Sequence, residues 1–199
     1  MGITPIKMAL DARNYKIECG FYIWQADQLT PIAVEWNPHK EDGRSVHRYR
    51  WQYGKLYGDI VDHVPTSKRA LFADVLKALQ FTDVQESDIV SGTIDVQHMQ
   101  QRHMLVYGAP PAQTDKLYFY VDPGMLQPIG FSRAEGNKST ITFKGRQRGT
   151  IEHYANMSDV DFFRKVLKHL GFKEFRLGQF RRGTVHTGGV VQQLLVFRP

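Results

Sequence analysis

The sequence predicts an α+β protein dominated by β-strands, built as a tandem duplication of a strand-rich, sandwich- or barrel-like unit with one packed helix in each copy. Three observations predict this fold class: one pattern recurs along the chain, each copy contains short alternating strands, and each copy contains one amphipathic helix. We interpret residues 1–108 and 109–199 as the two domains.

The internal repeat is clearest around the two predicted helices and the strands beside them. The matched segments are 75–81 with 166–172 and 92–94 with 183–185 at an offset of 91, and 29–32 with 126–129 at an offset of 97. The change of offset falls within the polar stretch 38–44, where an insertion into a surface loop costs little. Matches in the same order with one insertion favour duplication over chance.

Short segments rich in aromatic and β-branched residues predict six strands in each copy. The alternation is strongest in Thr140-Ile141-Thr142-Phe143. The predicted strands lie near 21–24, 31–36, 46–53, 59–64, 89–96 and 104–107, and then near 117–121, 128–131, 139–144, 150–154, 175–186 and 190–197. The segment 109–114, which is short and rich in proline, joins the copies and permits either one continuous sheet or two abutting units.

Apolar residues at helical spacing predict one helix in each copy, at about 67–80 and 158–171. Ser158 suits the helix start, with Asp161 placed for a capping box, and Gly171 suits the exit. We expect both apolar stripes to pack on the sheet rather than to line a cofactor groove.

Composition narrows the class of protein. No apolar run approaches the roughly 18 residues that a membrane-spanning helix needs, and the N-terminus has no apolar signal core. Cys19 is the single cysteine, which excludes disulfides within one chain. We therefore expect a protein without membrane contact, cytoplasmic or part of a virion, and not secreted by a signal peptide.

The net charge of +6 is divided unequally between the copies. Residues 1–108 hold twelve Lys and Arg against thirteen Asp and Glu, whereas residues 109–199 hold fourteen against seven. Cationic strands interleaved with aromatic residues are typical of surfaces that contact phosphate. The candidate polyanion-binding residues are Lys138, Lys144, Arg146, Arg148, Arg181 and Arg182.

The sequence contains no motif that indicates a particular reaction: it lacks a Walker loop, a nucleophile elbow and a zinc-protease helix. Asp95, His98 and His103 come nearest to a metal site, but polar turn residues explain them as well. Two acid–histidine pairs, Asp62-His63 and Glu152-His153, are a further weak indication. We expect no catalytic residues, no metal, no cofactor and no enzymatic activity.

The leading functional prediction is a structural subunit of a large homo-oligomeric assembly, ring- or tube-like, which also contacts other assembly subunits. Phage tail-tube and baseplate-hub proteins have a similar strand-rich architecture with a flanking helix, an analogy at the level of fold alone. The alternative is a nucleic-acid-binding protein that uses the basic second copy without sequence preference. A third hypothesis is a triphosphate-processing tunnel enzyme, which 142–145 and 150–152 weakly resemble, although the paired acidic motif for its metal is missing.

Overall fold

The computed structural model describes residues 19–36, 39–46, 48–61, 67–153 and 156–199. We call the described residues up to 108 the first half and those from 109 the second half. The first half contains β1 Cys19–Gln25, β2 Gln28–Trp36, β3 His39–Glu41, β4 Arg44–Val46, β5 Arg48–Tyr53, β6 Leu56–Val61, α1 Lys68–Ala78, β7 Val90–Val96 and β8 Arg102–Tyr107. The second half contains β9 Leu117–Val121, β10 Gln127–Arg133, β11 Lys138–Phe143, β12 Arg146–Glu152, α2 Asp159–His169, β13 Phe180–Thr187 and β14 Val190–Phe197.

Twelve of the described strands form one sheet, in the order β12-β11-β10-β9-β14-β13-β7-β8-β1-β2-β5-β6, and β3 pairs with β4 separately. Each half therefore contributes six strands in the same relative order. The pairs β8–β1 and β14–β9 are parallel, whereas the remaining pairs of this sheet are antiparallel. The predicted α+β class dominated by β-strands is confirmed.

The halves join through the antiparallel pair β7–β13 rather than through the strands that flank the connecting segment. The sequence left open whether the sheet would be continuous, and it is continuous at this junction. Ile94 pairs with Val185, and the register is symmetric about that pair, since Gly92 opposes Thr187 while Gly183 opposes Val96. A two-fold relation between the halves at this junction follows from that register.

Two glycines allow the junction strands to approach. A Cβ atom on Gly92 would lie 2.7 Å from the carbonyl oxygen of His186, and one on Gly183 would collide with the carbonyl oxygen of Asp95. Because these obstacles are backbone atoms, no side-chain movement would relieve them. This close approach explains why the segments 92–94 and 183–185 match in sequence.

Buried side chains form three clusters. One lies between α1 and the first half of the sheet, one lies between α2 and the second half, and a central cluster takes side chains from strands and loops of both halves. In the outer clusters Phe21 stacks on Phe72 at 4.6 Å, and Phe119 contacts Phe163 at 5.0 Å between ring centroids. Phe72 and Phe163 are fully buried, and each contributes on the order of 2 kcal/mol by burial.

The helices begin and end close to their predicted limits. Ser67 and Ser158 cap them, since the hydroxyl oxygens accept from the N–H groups of Ala70 and Asp161. Gly171 has φ +96° directly after the second helix, as its predicted exit role requires. Within the described residues, neither helix is long and apolar enough to cross a membrane.

Some predicted strands differ from those observed. The segment 46–53 divides into β4, which pairs with β3, and β5, which pairs with β2. The strand predicted from residue 175 begins at Phe180, because residues 177–179 form a short 3-10 turn and Phe175 packs on Phe197 and Phe180. The predicted strand ends at 62–64 and 154 lie outside the described residues.

Two buried tyrosines connect the halves reciprocally. The N–H of Leu126 donates to the hydroxyl of Tyr22 at 3.1 Å, and the N–H of Leu29 donates to the hydroxyl of Tyr120 at 3.0 Å. Tyr120 donates in turn to the side-chain oxygen of Gln192 at 2.6 Å. Burial raises the pKa of Tyr120, so its hydroxyl stays protonated and available as this donor.

Replacing either tyrosine with phenylalanine is expected to lower the free energy of unfolding by about 1–3 kcal/mol, because a buried leucine N–H then loses its acceptor. Tyr22→Phe and Tyr120→Phe should have similar effects, measured by urea unfolding followed by circular dichroism. Tyr57→Phe is the control, since Tyr57 is 57% exposed, and should change stability by less than about 0.5 kcal/mol. A loss confined to one of the buried tyrosines would contradict their equivalence.

Candidate polyanion-binding surface

The hairpin β11–β12 places cations at one end of the sheet. Its two-residue turn, Lys144 and Gly145, has φ values of +51° and +69°, the left-handed conformation that tight hairpins need. Ile141 and Phe143 face the α2 cluster and are buried, which anchors the hairpin. The amine of Lys144 lies 5.5 Å from the centroid of the Phe143 ring, so this cation sits above the anchored tip.

Helix α2 meets β12 along its length. The ring nitrogen Nε2 of His169 lies 2.5 Å from the carbonyl oxygen of Arg148, and the amine of Lys165 donates to the carbonyl oxygen of Glu152 at 3.3 Å. Gly149 has φ +90°, and a Cβ atom there would lie 3.0 Å from Nε2 of His169. Glycine at this position therefore lets the end of the helix approach the strand.

What we call the basic surface consists of Lys144, Arg146 and Arg148 of the hairpin, with Lys168 of α2, the neighbour of His169. Lys165 lies at the other end of β12, at Glu152, and is not part of it. The hairpin cations and Lys168 are exposed. Within the described ranges, no ion pair involves the three hairpin cations. Because β12 is the last strand of the sheet among the described residues, its cations also discourage uncontrolled pairing with another strand.

The six cations predicted from the sequence do not form one cluster. Lys138 begins β11, opposite Glu152, about 17 Å along the strand from the hairpin tip. Arg181 donates to the carbonyl oxygens of Gly178 at 3.1 Å and His98 at 3.2 Å. These bonds direct two of its guanidinium nitrogens to backbone carbonyl groups of the protein itself.

Arg182 is likewise engaged, in an ion pair with Asp159 at 3.6 Å between Nη2 and Oδ2. Both partners are more than half exposed, so this pair contributes little to stability. Lys144, Arg146 and Arg148 thus remain together, and Lys168 lies on the helix turn that meets this strand through His169. The signal for Lys168 was its position on the polar side of a predicted helix.

The corresponding hairpin of the first half, β5–β6, has a different surface. Lys55 corresponds to Arg146, but Tyr57, 57% exposed, corresponds to Arg148. Arg50 is paired with Asp59 at 3.4 Å. The concentration of cations is therefore a property of the second half, in agreement with the unequal charge of the two copies.

The three candidate metal ligands, Asp95, His98 and His103, take part in contacts of the β7–β8 turn and its strands. The carboxylate of Asp95 accepts from the side-chain amide of Gln101 at 2.8 Å, His98 has φ +59° between β7 and β8, and His103 pairs with Thr93. In the part of the chain that the structure describes, no three His, Cys, Asp or Glu side chains are arranged to hold a metal ion.

One serine–histidine contact lies at the other end of the β11–β12 hairpin. The hydroxyl of Ser139 and Nε2 of His153 are 2.7 Å apart, and the His153 ring stacks on Phe162 at 4.5 Å. An open depression next to this contact is lined by Glu135, Gly136, Asn137, Lys138, Glu152 and His153. The other predicted acid–histidine pair, Asp62-His63, lies outside the described residues.

Comparison with protein-family models, with curated proteins and with solved structures finds no match for this chain. The functional argument therefore depends on the chain's own geometry and charge.

Proposed function

We propose that this protein binds nucleic acid through the basic surface, without reading its sequence. One observation carries the proposal: Lys144, Arg146 and Arg148 lie exposed on the end strand of the sheet, and no ion pair among the described residues involves them. The hairpin and the helix position the backbone that carries these cations before binding, so only the side chains need further ordering.

The chemistry of these side chains supports a contact with phosphate. Arginine offers a planar fork of donors that matches phosphate oxygens, and lysine offers a mobile point charge. Phosphate contacts set affinity and orientation but carry no base information. The proposal accordingly includes no catalytic step, no cofactor and no sequence specificity.

The test is the salt dependence of binding, measured by fluorescence anisotropy with two labelled nucleic acids of unrelated sequence. If three or four phosphates are contacted, the logarithm of the binding constant should fall with the logarithm of salt concentration at a slope of about −3 to −4. Both sequences should bind with similar affinity. Absence of binding at low salt, or binding that salt does not weaken, would refute the proposal.

A second candidate is the structural subunit of a homo-oligomeric ring or tube, including a virion component of the phage tail-tube or baseplate-hub type. The observation that favours it is on β6, the other end strand of the described sheet, where Leu56 is 58% and Tyr57 57% exposed. Apolar side chains on an end strand favour pairing with another chain. Under either candidate we propose a cytoplasmic or virion location.

Native mass spectrometry tests the assembly candidate. The wild-type protein should form a defined oligomer, since an obligate interface buries on the order of 2,000 Å² of surface. The double variant Leu56→Ser with Tyr57→Ser should shift the oligomer toward monomer, because it removes apolar side chains from the proposed interface. The double variant Gln147→Ser with Arg148→Ser, at the corresponding hairpin positions, is the control. A wild-type protein that stays monomeric at high concentration would argue against this candidate.

We also infer that the chain arose by tandem duplication, with domains at 1–108 and 109–199. The equal strand order of the halves, the symmetric register about Ile94 and Val185, and the reciprocal tyrosine contacts support this inference. The sandwich- or barrel-like form of each unit stays a prediction.

A further inference from the structure

The basic surface contains cations but, in the described part of the second half, no exposed phenylalanine, tyrosine or tryptophan ring. Phe143, the aromatic residue closest to the hairpin tip, is only 8% exposed and belongs to the core around α2. Phe162 and Phe163 are buried in the same cluster. The one exposed phenylalanine, tyrosine or tryptophan side chain among all described residues is Tyr57, on the opposite hairpin in the first half.

Proteins that hold single-stranded nucleic acid combine a cationic groove with aromatic side chains on which the bases stack. Stacking supplies much of the affinity, because a flexible strand must be ordered when it binds. A surface that presents cations alone interacts with phosphates alone. Such a surface lacks the stacking energy that would offset the entropy lost when a single strand is ordered.

A duplex presents a different target. Its phosphates form a rigid array with twice the axial charge density of a single strand, so binding orders less of the nucleic acid and releases more counterions. Arg146 and Arg148 lie two residues apart on an extended strand, about 7 Å along it. Lys168 adds one more positive charge from α2, the helix that contacts this strand.

We propose that the preferred partner of the basic surface is a nucleic-acid duplex, held through its phosphates, rather than a single strand. This inference rests on the proposed function and specifies its ligand class. The cations of β12 and α2 follow the duplex backbone, and the bases remain stacked and paired inside the helix.

The experiment compares a mixed-sequence duplex of about 20 base pairs with one of its strands, long enough to cover a typical single-strand site. Both are labelled and titrated with the full-length protein by fluorescence anisotropy at the same salt concentration. We expect the duplex to bind at least about tenfold more tightly and with the steeper salt dependence, since the slope per contact is about −0.9 for duplexes and −0.7 for single strands.

Equal or tighter binding of the single strand would overturn this inference and leave the proposed function standing. Absence of binding to either ligand would refute the proposed function itself. Tyr57→Ala serves as a second measurement, because it removes the one exposed tyrosine, phenylalanine or tryptophan ring among the described residues without touching the core. The duplex affinity should be unchanged in this variant, and a clear loss would overturn the assignment to the basic surface.

Discussion

Reversing two charges on the end strand, Arg146→Glu with Arg148→Glu, is expected to lower the affinity for nucleic acid on the order of a hundredfold at moderate salt. Each substitution removes one attraction to phosphate and adds one repulsion. Salt screens each of these four terms below the roughly 1 kcal/mol of an unscreened pair in water, so together they are worth about 3 kcal/mol. The salt slope should become shallower by about 2. Both side chains are exposed, so folding should be preserved.

The chain offers a matched control for this pair. Lys55→Glu with Lys77→Glu changes the net charge by the same amount. Lys55 lies in the corresponding hairpin of the first half, and Lys77 lies in the last turn of α1. This control should weaken binding only slightly, because the charges it changes lie on the other half. An equal loss in both double variants would show that net charge, rather than the basic surface, determines binding.

The largest effect on stability is expected for Asp122→Ala, with a loss of about 3 kcal/mol in the free energy of unfolding. The side chain of Asp122 is fully buried. Its carboxylate oxygens accept from two nitrogens of Arg102 at 3.2 and 2.9 Å, and one of them also accepts from the N–H of Gly124 at 3.0 Å. Removing the carboxylate leaves a partly buried guanidinium without its partner.

This ion pair also connects the halves, since Arg102 begins β8 in the first half while Asp122 follows β9 in the second. The control is Asp59→Ala, which removes an ion pair with Arg50 whose members are 40% and 45% exposed. That substitution should cost less than about 1 kcal/mol. Urea unfolding measures both, and a loss at Asp122 no greater than at Asp59 would contradict the prediction.

Local signals made the helices predictable. The apolar stripe of α2 recurs every three to four residues, Ser158 caps its start and Gly171 follows its end, so each feature depends on neighbours in the chain. Most strands were predictable for the same reason, through alternation and turn residues such as Gly188-Gly189, both with positive φ. The pairing partners of the strands were not predictable, because every strand presents the same backbone hydrogen-bonding groups to a neighbour.

The candidate surface was predictable only in part. Arg148 and Arg181 are the same residue type on strands of similar pattern, yet the structure separates them. Arg181 lies where β13 meets the turn after β7, and backbone carbonyl groups there use its donors. Arg148 lies on an end strand of the described sheet, and its side chain is exposed. Whether a cation is available to a ligand depends on its neighbours in space.

The sequence by itself determined the β-rich class with two helices, the strongly cationic second half and the recurring segments, since composition, periodicity and repetition are properties of the chain alone. Only the tertiary structure decided that the sheet is continuous through β7 and β13, and that Tyr22 and Tyr120 contact the opposite halves. Only it decided that the end of α2 that carries Lys168 and His169 meets the strand of Arg146 and Arg148. These contacts depend on which surfaces bury each other, and that choice is made by packing over long separations in the chain.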